Sequence, residues 1–383
     1  MKNLSAPVFI RNARLVLHNQ VLSGSLSTSH GRISSVDTGN SGTTGEDWEG
    51  DYLIPGLVEI HTDNLEKHLM PRPKVNWPVL PAIIAHDAQV IAAGITTVLD
   101  ALSVGDIDPD SLRNQSLQPC AQGLASAAAA GLLRAEHLLH LRLELAEPDL
   151  PGLLAPFMLD ERLALVSLMD HTPGQRQWSD IDHYRTYVTG KRGWSHEKVD
   201  QMLAVLAERQ QRHVAENRRL VVAMCGRSGR NLPLASHDDT TPAHVLEGVA
   251  DGVCISEFPT TLAAARAARE HGLAVVMGAP NCVRGGSHSG NVSAAELARE
   301  GLLDMFSSDY VPSSLLQAAF MLQQYGYSLP EAIATVSATP AAAIALDDRG
   351  QIATGLRADF LRVRVHDGIP VVLGVWKSGQ RVY

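Results

Sequence analysis

The sequence predicts an α/β protein: a (β/α)₈ barrel of the TIM type carrying a small discontinuous β-sandwich domain. Three observations lead there. Strand-length apolar runs alternate with helix-like stretches from about Leu57 to Leu346, which argues for a parallel sheet with crossover helices. Both ends of the chain instead read as short strands broken by turn residues. The 383 residues suit one barrel of roughly 250 residues or more plus a satellite, not one small core. The expected division is 1–54 with 347–383 as the sandwich and 55–346 as the barrel.

In chain order, VFIRNARLVL, VLSGSLSTS and GRISSVD alternate as strands, and the polar, Gly-rich Asn40–Asp51 reads as a loop. The barrel strands follow as TTVLDAL, LLHLRLELA, LALVSLMD, LPLASHDD, GVCISEF, AVVMGAP and MFSSDY, after a first strand in PGLVEIHTD. Helix starts are marked by Thr241-Pro242 and by the pairs Ser293/Glu296 and Ser328/Glu331, which fit capping boxes. Gly94, Gly272 and Gly326 mark helix ends. Trp178–Trp194, with His183 and Lys191, is an insertion long enough to form a lid. GQIATGLRADFLRVRV, IPVVLGVW and QRVY return to strand texture.

Composition narrows the function. A net charge of -9 gives no global basic field for nucleic acid. No run of about 18 apolar residues exists to span a membrane, and MKNLSAPVFIRNARLVL lacks signal-peptide form, so the cytoplasm is the expected location. The four cysteines are scattered without CxxC pairing, so reduced thiols are expected rather than a disulfide scaffold.

The chemistry-bearing residues fall at strand ends. In His61-Thr62-Asp63, side chains two apart on a strand point the same way, so an imidazole and a carboxylate would share a barrel mouth. They are half of a Zn²⁺ or Mn²⁺ site. Glu144, His171, His237 and Asp309 recur at later strand ends, where burial of an isolated charge is costly and metal coordination offsets it. Any one of them alone has an ordinary alternative. Glu144 would pair with Arg142 or Arg162, His171 would be a loop histidine, and Asp309 would cap a helix near Ser313. Phosphate would be met by Lys67, His68 and Arg72 after the first strand. Arg284 and His288, in NCVRGGSHSGN, follow the seventh strand, where barrel enzymes often bind phosphate.

The stretches PGLVEIHTDNLEKHLMPRP, AHDAQVIAAGITTVLDALSVGD, PLASHDDTT and SEFPTT resemble the amidohydrolase superfamily. Within it they resemble the ribose-phosphonate triphosphate diphosphatases of the carbon–phosphorus lyase pathway, over most of the chain. The resemblance implies hydrolysis of a phosphorylated ribose phosphonate, a small molecule, by an enzyme holding one or two divalent ions, zinc or else manganese. It implies that His61, Asp63, Glu144, His171, His237 and Asp309 are ligands, with Glu144 as a bridge between ions and Asp309 accepting a proton from water. Asp63 departs from the usual H-x-H, and Glu257 stands where one branch has a histidine, which leaves the number of ions open. A C–N hydrolase (deacetylase, deaminase or cyclic amidase) on the same barrel and a non-catalytic barrel subunit are the alternatives. Homo-oligomerisation is compatible with either.

Overall fold

The structure is a computed structural model that describes residues 6–39, 45–72, 75–106, 112–176, 181–192, 194–230, 232–287 and 290–383. Its strands are β1 (Phe9–Val16), β2 (Val21–Ser29), β3 (Arg32–Thr38), β4 (Glu46–Asp47), β5 (Tyr52–Pro55), β6 (Leu57–Thr62), β7 (Ile95–Val104) and β8 (Glu136–Glu144). They continue as β9 (Leu163–Met169), β10 (Leu234–His237), β11 (Ile255–Glu257), β12 (Ala274–Gly278), β13 (Met305–Ser307), β14 (Phe360–His366), β15 (Ile369–Lys377) and β16 (Gln380–Arg381).

Two eight-stranded sheets result. The first runs β16-β15-β14-β5-β1-β2-β3, with β4 beside β1. Antiparallel pairing of Phe360 with Pro55 and of Val363 with Tyr52 joins the two ends of the chain, as their shared strand texture predicts. Trp48, fully buried beside Phe360 and Trp376, organises its core; the latter two rings stack at 5.2 Å. Trp48 follows β4, in the stretch expected to be loop.

The second sheet runs β6 to β13 in sequential order, and a parallel bridge between Thr62 and Asp309 links its first and last strands into a nearly closed barrel. All ten residues of β7 and all six of β6 are buried, as parallel strands covered on both faces require. Gly56 sits where β5 turns into β6, and a Cβ there would overlap the side chain of Thr96. Only glycine allows that approach.

The chain forms two compact units: 1–100 with 122–138 and 277–383, and 101–121 with 139–276. In the second, His196–Arg227 is a 32-residue helix started by Ser195, whose side chain accepts from the Lys198 amide. It shares a small core of Tyr184, Val188 and Val199 with the helix Ile181–Arg192, so the expected insertion is largely helical. Trp178 and the side chains of His183 and Lys191 lie outside the described residues. The caps at Thr241 and Ser293 form, and Ser328 with Glu331 makes the full reciprocal box. All four cysteines are free.

Candidate active site

In the first unit the two ends of the barrel converge on His61, Asp63 and Asp309. The amide of Asp309 donates to the His61 carbonyl at 3.2 Å, and that of Asp63 donates to the Asp309 carbonyl at 2.9 Å. Hydroxyls of Thr62 and Ser307 reinforce the seam, reaching Asp309 O at 2.7 Å and His61 O at 2.6 Å. Residues 61 and 309 are therefore direct backbone neighbours despite their separation in sequence. His61 Nε2 lies 3.9 Å from Asp63 Oδ1, although β6 ends at Thr62 and Asp63 has already left the strand. Asp63 occupies the N-cap position of the helix Asn64–Leu69. Asp309 does not cap a helix: Ser313 holds that position for Ser314–Met321.

Glu59, fully buried two residues before His61, braces this seam. Its carboxyl oxygens accept from the amides of His61 at 2.7 Å and Ser308 at 2.5 Å. Burial raises its pKa from 4.5 to about 7, against the lowering pull of those donors. Sequence reading passed over Glu59, although a lone Glu inside the apolar run LVEI is the kind of residue that demands partners.

The second unit gathers the later-strand residues. Glu144 ends β8, and its Oε2 accepts from His171 Nδ1 at 2.8 Å, so neither Arg142 nor Arg162 is needed to explain it. Arg162 instead grips Asp160. Gly105 makes room for this corner: at φ 83° it is left-handed, and a Cβ would stand 2.6 Å from Cβ of Glu147 and 3.3 Å from that of Glu144. His237 ends β10, with Nδ1 3.4 Å from Glu257 Oε2 at the end of β11. The rings of His171 and His237 meet edge to face at 5.7 Å. Asp238 Oδ2 lies 3.9 Å from His171 Nε2 and 3.7 Å from His237 Nε2, so these three residues present ligand atoms to one position. Asp238 is an addition to the residues singled out from sequence; its only signal there was the carboxylate beside His237 in ASHDD.

The residues behind these groups fix their direction. Ser167 donates to Glu257 Oε2 at 2.5 Å and so receives the proton of His140 Nε2, also at 2.5 Å. The buried guanidinium of Arg176 donates to the His237 carbonyl at 2.9 Å and to Asp239 at 2.7 Å. Burial lowers the His237 pKa despite the attraction of Asp238 and Glu257, which keeps the imidazole neutral and able to act as a ligand. His171 is raised instead, the bond and charge of Glu144 outweighing burial.

Strained backbone marks the same strand ends. Asp238, Phe258 and Asp309 have φ of 55°, 54° and 51°, left-handed values that L residues adopt at a cost of about 1–3 kcal/mol each. Phe258 is the least expected, being bulky; its ring meets His237 edge-on at 5.3 Å.

The phosphate candidates separate. Lys67 turns its ammonium onto the carbonyl and ring of Tyr310, beside Asp309. His68 Nε2 meets Gln89 Oε1 at 2.9 Å. Arg72 is exposed and bridges to Val75 through backbone. Arg284 is exposed at the end of a helix, Ala279–Arg284, where a Gly-rich loop was expected to begin. Gly278 and Pro280 start that helix and left-handed Gly285 ends it. His288 lies outside the described residues.

A model of the amidohydrolase family matches residues 194–383. The alpha-D-ribose 1-methylphosphonate 5-triphosphate diphosphatase of Escherichia coli (strain K12) is 45% identical over 384 residues, spanning 98% of this chain and 100% of the relative. The chain belongs to the amidohydrolase family. Among solved structures, N-acetyl-D-glucosamine-6-phosphate deacetylase from Mycobacterium smegmatis is 15% identical with a TM-score of 0.64, covering 98% of this chain and 99% of the other. Beta-aspartyl dipeptidase from Fervidobacterium islandicum AW-1 is 16% identical with a TM-score of 0.63, covering 100% and 97%. At such identities these two amidohydrolase-type structures speak for the fold alone. No described helix is long and apolar enough to cross a membrane.

Proposed function

We propose that this amidohydrolase is a diphosphatase hydrolysing alpha-D-ribose 1-methylphosphonate 5-triphosphate, giving the 5-phosphate and diphosphate in phosphonate catabolism. The observation that carries the reading is the 45% identity to the diphosphatase from end to end. Low-identity resemblance to a deacetylase and a dipeptidase adds no argument for C–N cleavage.

The donor chemistry of each unit fits a divalent cation. One offers His61, Asp63 and Asp309. The other offers His171, His237 and Asp238, whose ligand atoms lie together, with Glu144 bonded to His171 behind them. Nitrogen and carboxylate donors of this mix suit Zn²⁺ or Mn²⁺, as one ion or two. Bound there, such an ion would supply Lewis acidity toward a phosphoryl oxygen and lower the pKa of water. The chain's own residues do the rest. Asp309, held by its backbone bonds to His61 and Asp63, accepts the proton of the attacking water. Water oxygen bonds to the α-phosphorus in line, the bond from that phosphorus to the bridging oxygen breaks, and diphosphate leaves with the electron pair. Lys67, His68, Arg72, Arg284 and His288 are the groups we assign to neutralising the phosphates.

Phosphorus NMR of the products formed in ¹⁸O-water tests this. The reading expects ¹⁸O in the ribose 5-phosphate and unlabelled diphosphate. Label in diphosphate would move the attack to the β-phosphorus. An inert triphosphate together with turnover of N-acyl or cyclic-amide compounds would overturn the assignment.

A further inference from the structure

One buried polar chain in the first unit lies outside the ligand set. Asp100, on β7, receives His86 Nε2 at 2.7 Å on one oxygen and His137 Nδ1 at 2.8 Å on the other. The remaining nitrogen of His137 donates to Asp87 at 3.3 Å, and the Asp87 carboxylate also receives the amides of Arg134 and Ala135, each at 2.9 Å. The remaining nitrogen of His86 meets the Asn64 amide at 3.0 Å. Asn64 donates in turn to Gln89 at 3.0 Å, and Gln89 is the partner of His68.

The partners assign the protons in this chain. His137 faces a carboxylate through each ring nitrogen, so it carries both protons and a positive charge; its pKa stands at about 9, the two aspartates outweighing burial. His86 must direct its proton to Asp100, which leaves Nδ1 as an acceptor for Asn64. Burial keeps His86 below its ordinary pKa, so the neutral form is the one that receives this bond. Asp100, Asp87, His137 and the Arg134 guanidinium, 3.3 Å from Asp87, balance to zero charge.

Replacing such a cluster with apolar side chains would often be neutral for stability or better, so stability alone is a weak account of it. Toward the barrel seam the cluster leads to Asn64, buried, immediately after Asp63 and first in the helix that carries Lys67 and His68. The Asn64 backbone amide is bound to Thr62 Oγ1 at 3.3 Å, and that hydroxyl donates to Asp309. We infer that His86, Asp100 and His137 are positioning residues which, through Asn64, set the aim of Asp63 and the helix Asn64–Leu69. The inference rests on the assignment of His61, Asp63 and Asp309 as metal ligands.

The test uses the full chain and Mn²⁺ alone, followed by electron paramagnetic resonance, for Asn64→Ala, Asp100→Asn and the double substitution. Groups that orient ligands typically contribute 10–100-fold to metal affinity. Each single variant should weaken Mn²⁺ binding about 10–100-fold, and the double variant no more than the weaker-binding single, because both cut the same chain. Asn64→Ala leaves the buried ion pairs intact and keeps the test decisive if Asp100→Asn does not fold. Wild-type affinity in a folded Asn64→Ala protein, or losses that multiply in the double variant, overturns the inference. A tight ion that survives His61→Ala with Asp63→Ala but disappears with Asp100→Asn also overturns it, by making the buried trio a metal site itself. If the wild-type protein binds no Mn²⁺, the underlying ligand assignment falls, a result distinct from either of these.

Discussion

Glu59→Gln separates the two roles of the carboxyl beneath the barrel seam. In the native chain its two oxygens accept the amides of His61 and Ser308. Glutamine keeps one acceptor and turns an NH₂ group toward the other amide, leaving a buried donor unpaired at a cost of about 1–3 kcal/mol. The carboxyl also titrates. Its pKa is raised from 4.5 to about 7, a difference of about 3 kcal/mol at about 1.4 kcal/mol per tenfold change. Between pH 4.5 and 7 the unfolded chain has lost this proton and the folded chain retains it. Unfolding then releases a proton, so stability contributed by Glu59 falls as pH rises and levels off above pH 7. Glutamine has no such dependence. Urea unfolding of both proteins in a chelator at pH 5, 6, 7 and 8 should show the variant less stable at pH 5 by about 1–3 kcal/mol. That gap should narrow or reverse by pH 8. Curves that stay parallel across the range would refute the reasoning, because Glu59 would then be ionised in the fold throughout.

Three further outcomes are expected. Asp309→Asn should lower the hydrolysis rate by about 10²–10⁴-fold, the usual worth of a positioned base, with metal content measured by mass spectrometry showing whether ligation is lost as well. Trp48→Ala removes the fully buried ring packed against the Phe360–Trp376 stack and should cost about 3–5 kcal/mol in denaturant unfolding. Asn217→Ala deletes the amide that donates to the carbonyls of Leu145 at 2.9 Å and Glu147 at 2.7 Å, freeing the turn behind Glu144. Hydrogen exchange should rise across 145–147, and hydrolysis should fall in step with the loosening of Glu144.

Much was legible in the sequence because it depended on local periodicity and on residues out of keeping with their surroundings. Alternating apolar runs announced the barrel strands, and the shared strand texture of both ends announced the terminal sheet. The pairing of His61 with Asp63 was suggested by side-chain alternation and Asp309 by its place after the last apolar run, while their role as ligands is the reading proposed above. What pairs with what was decided only by the tertiary structure. Glu144 had neighbouring arginines in sequence, yet it takes His171 across 27 residues because β8 and β9 lie side by side. Arg284 looked like part of a glycine loop, but Gly278, Pro280 and Gly285 form a short helix that carries it to an exposed end. Glu59, Asp238 and the His86–Asp100–His137 chain emerged only when the buried polar groups had their partners in place. A sequence shows that a charge falls in an apolar run; the energy of burying it depends on the atoms around it, and those are brought together by the fold.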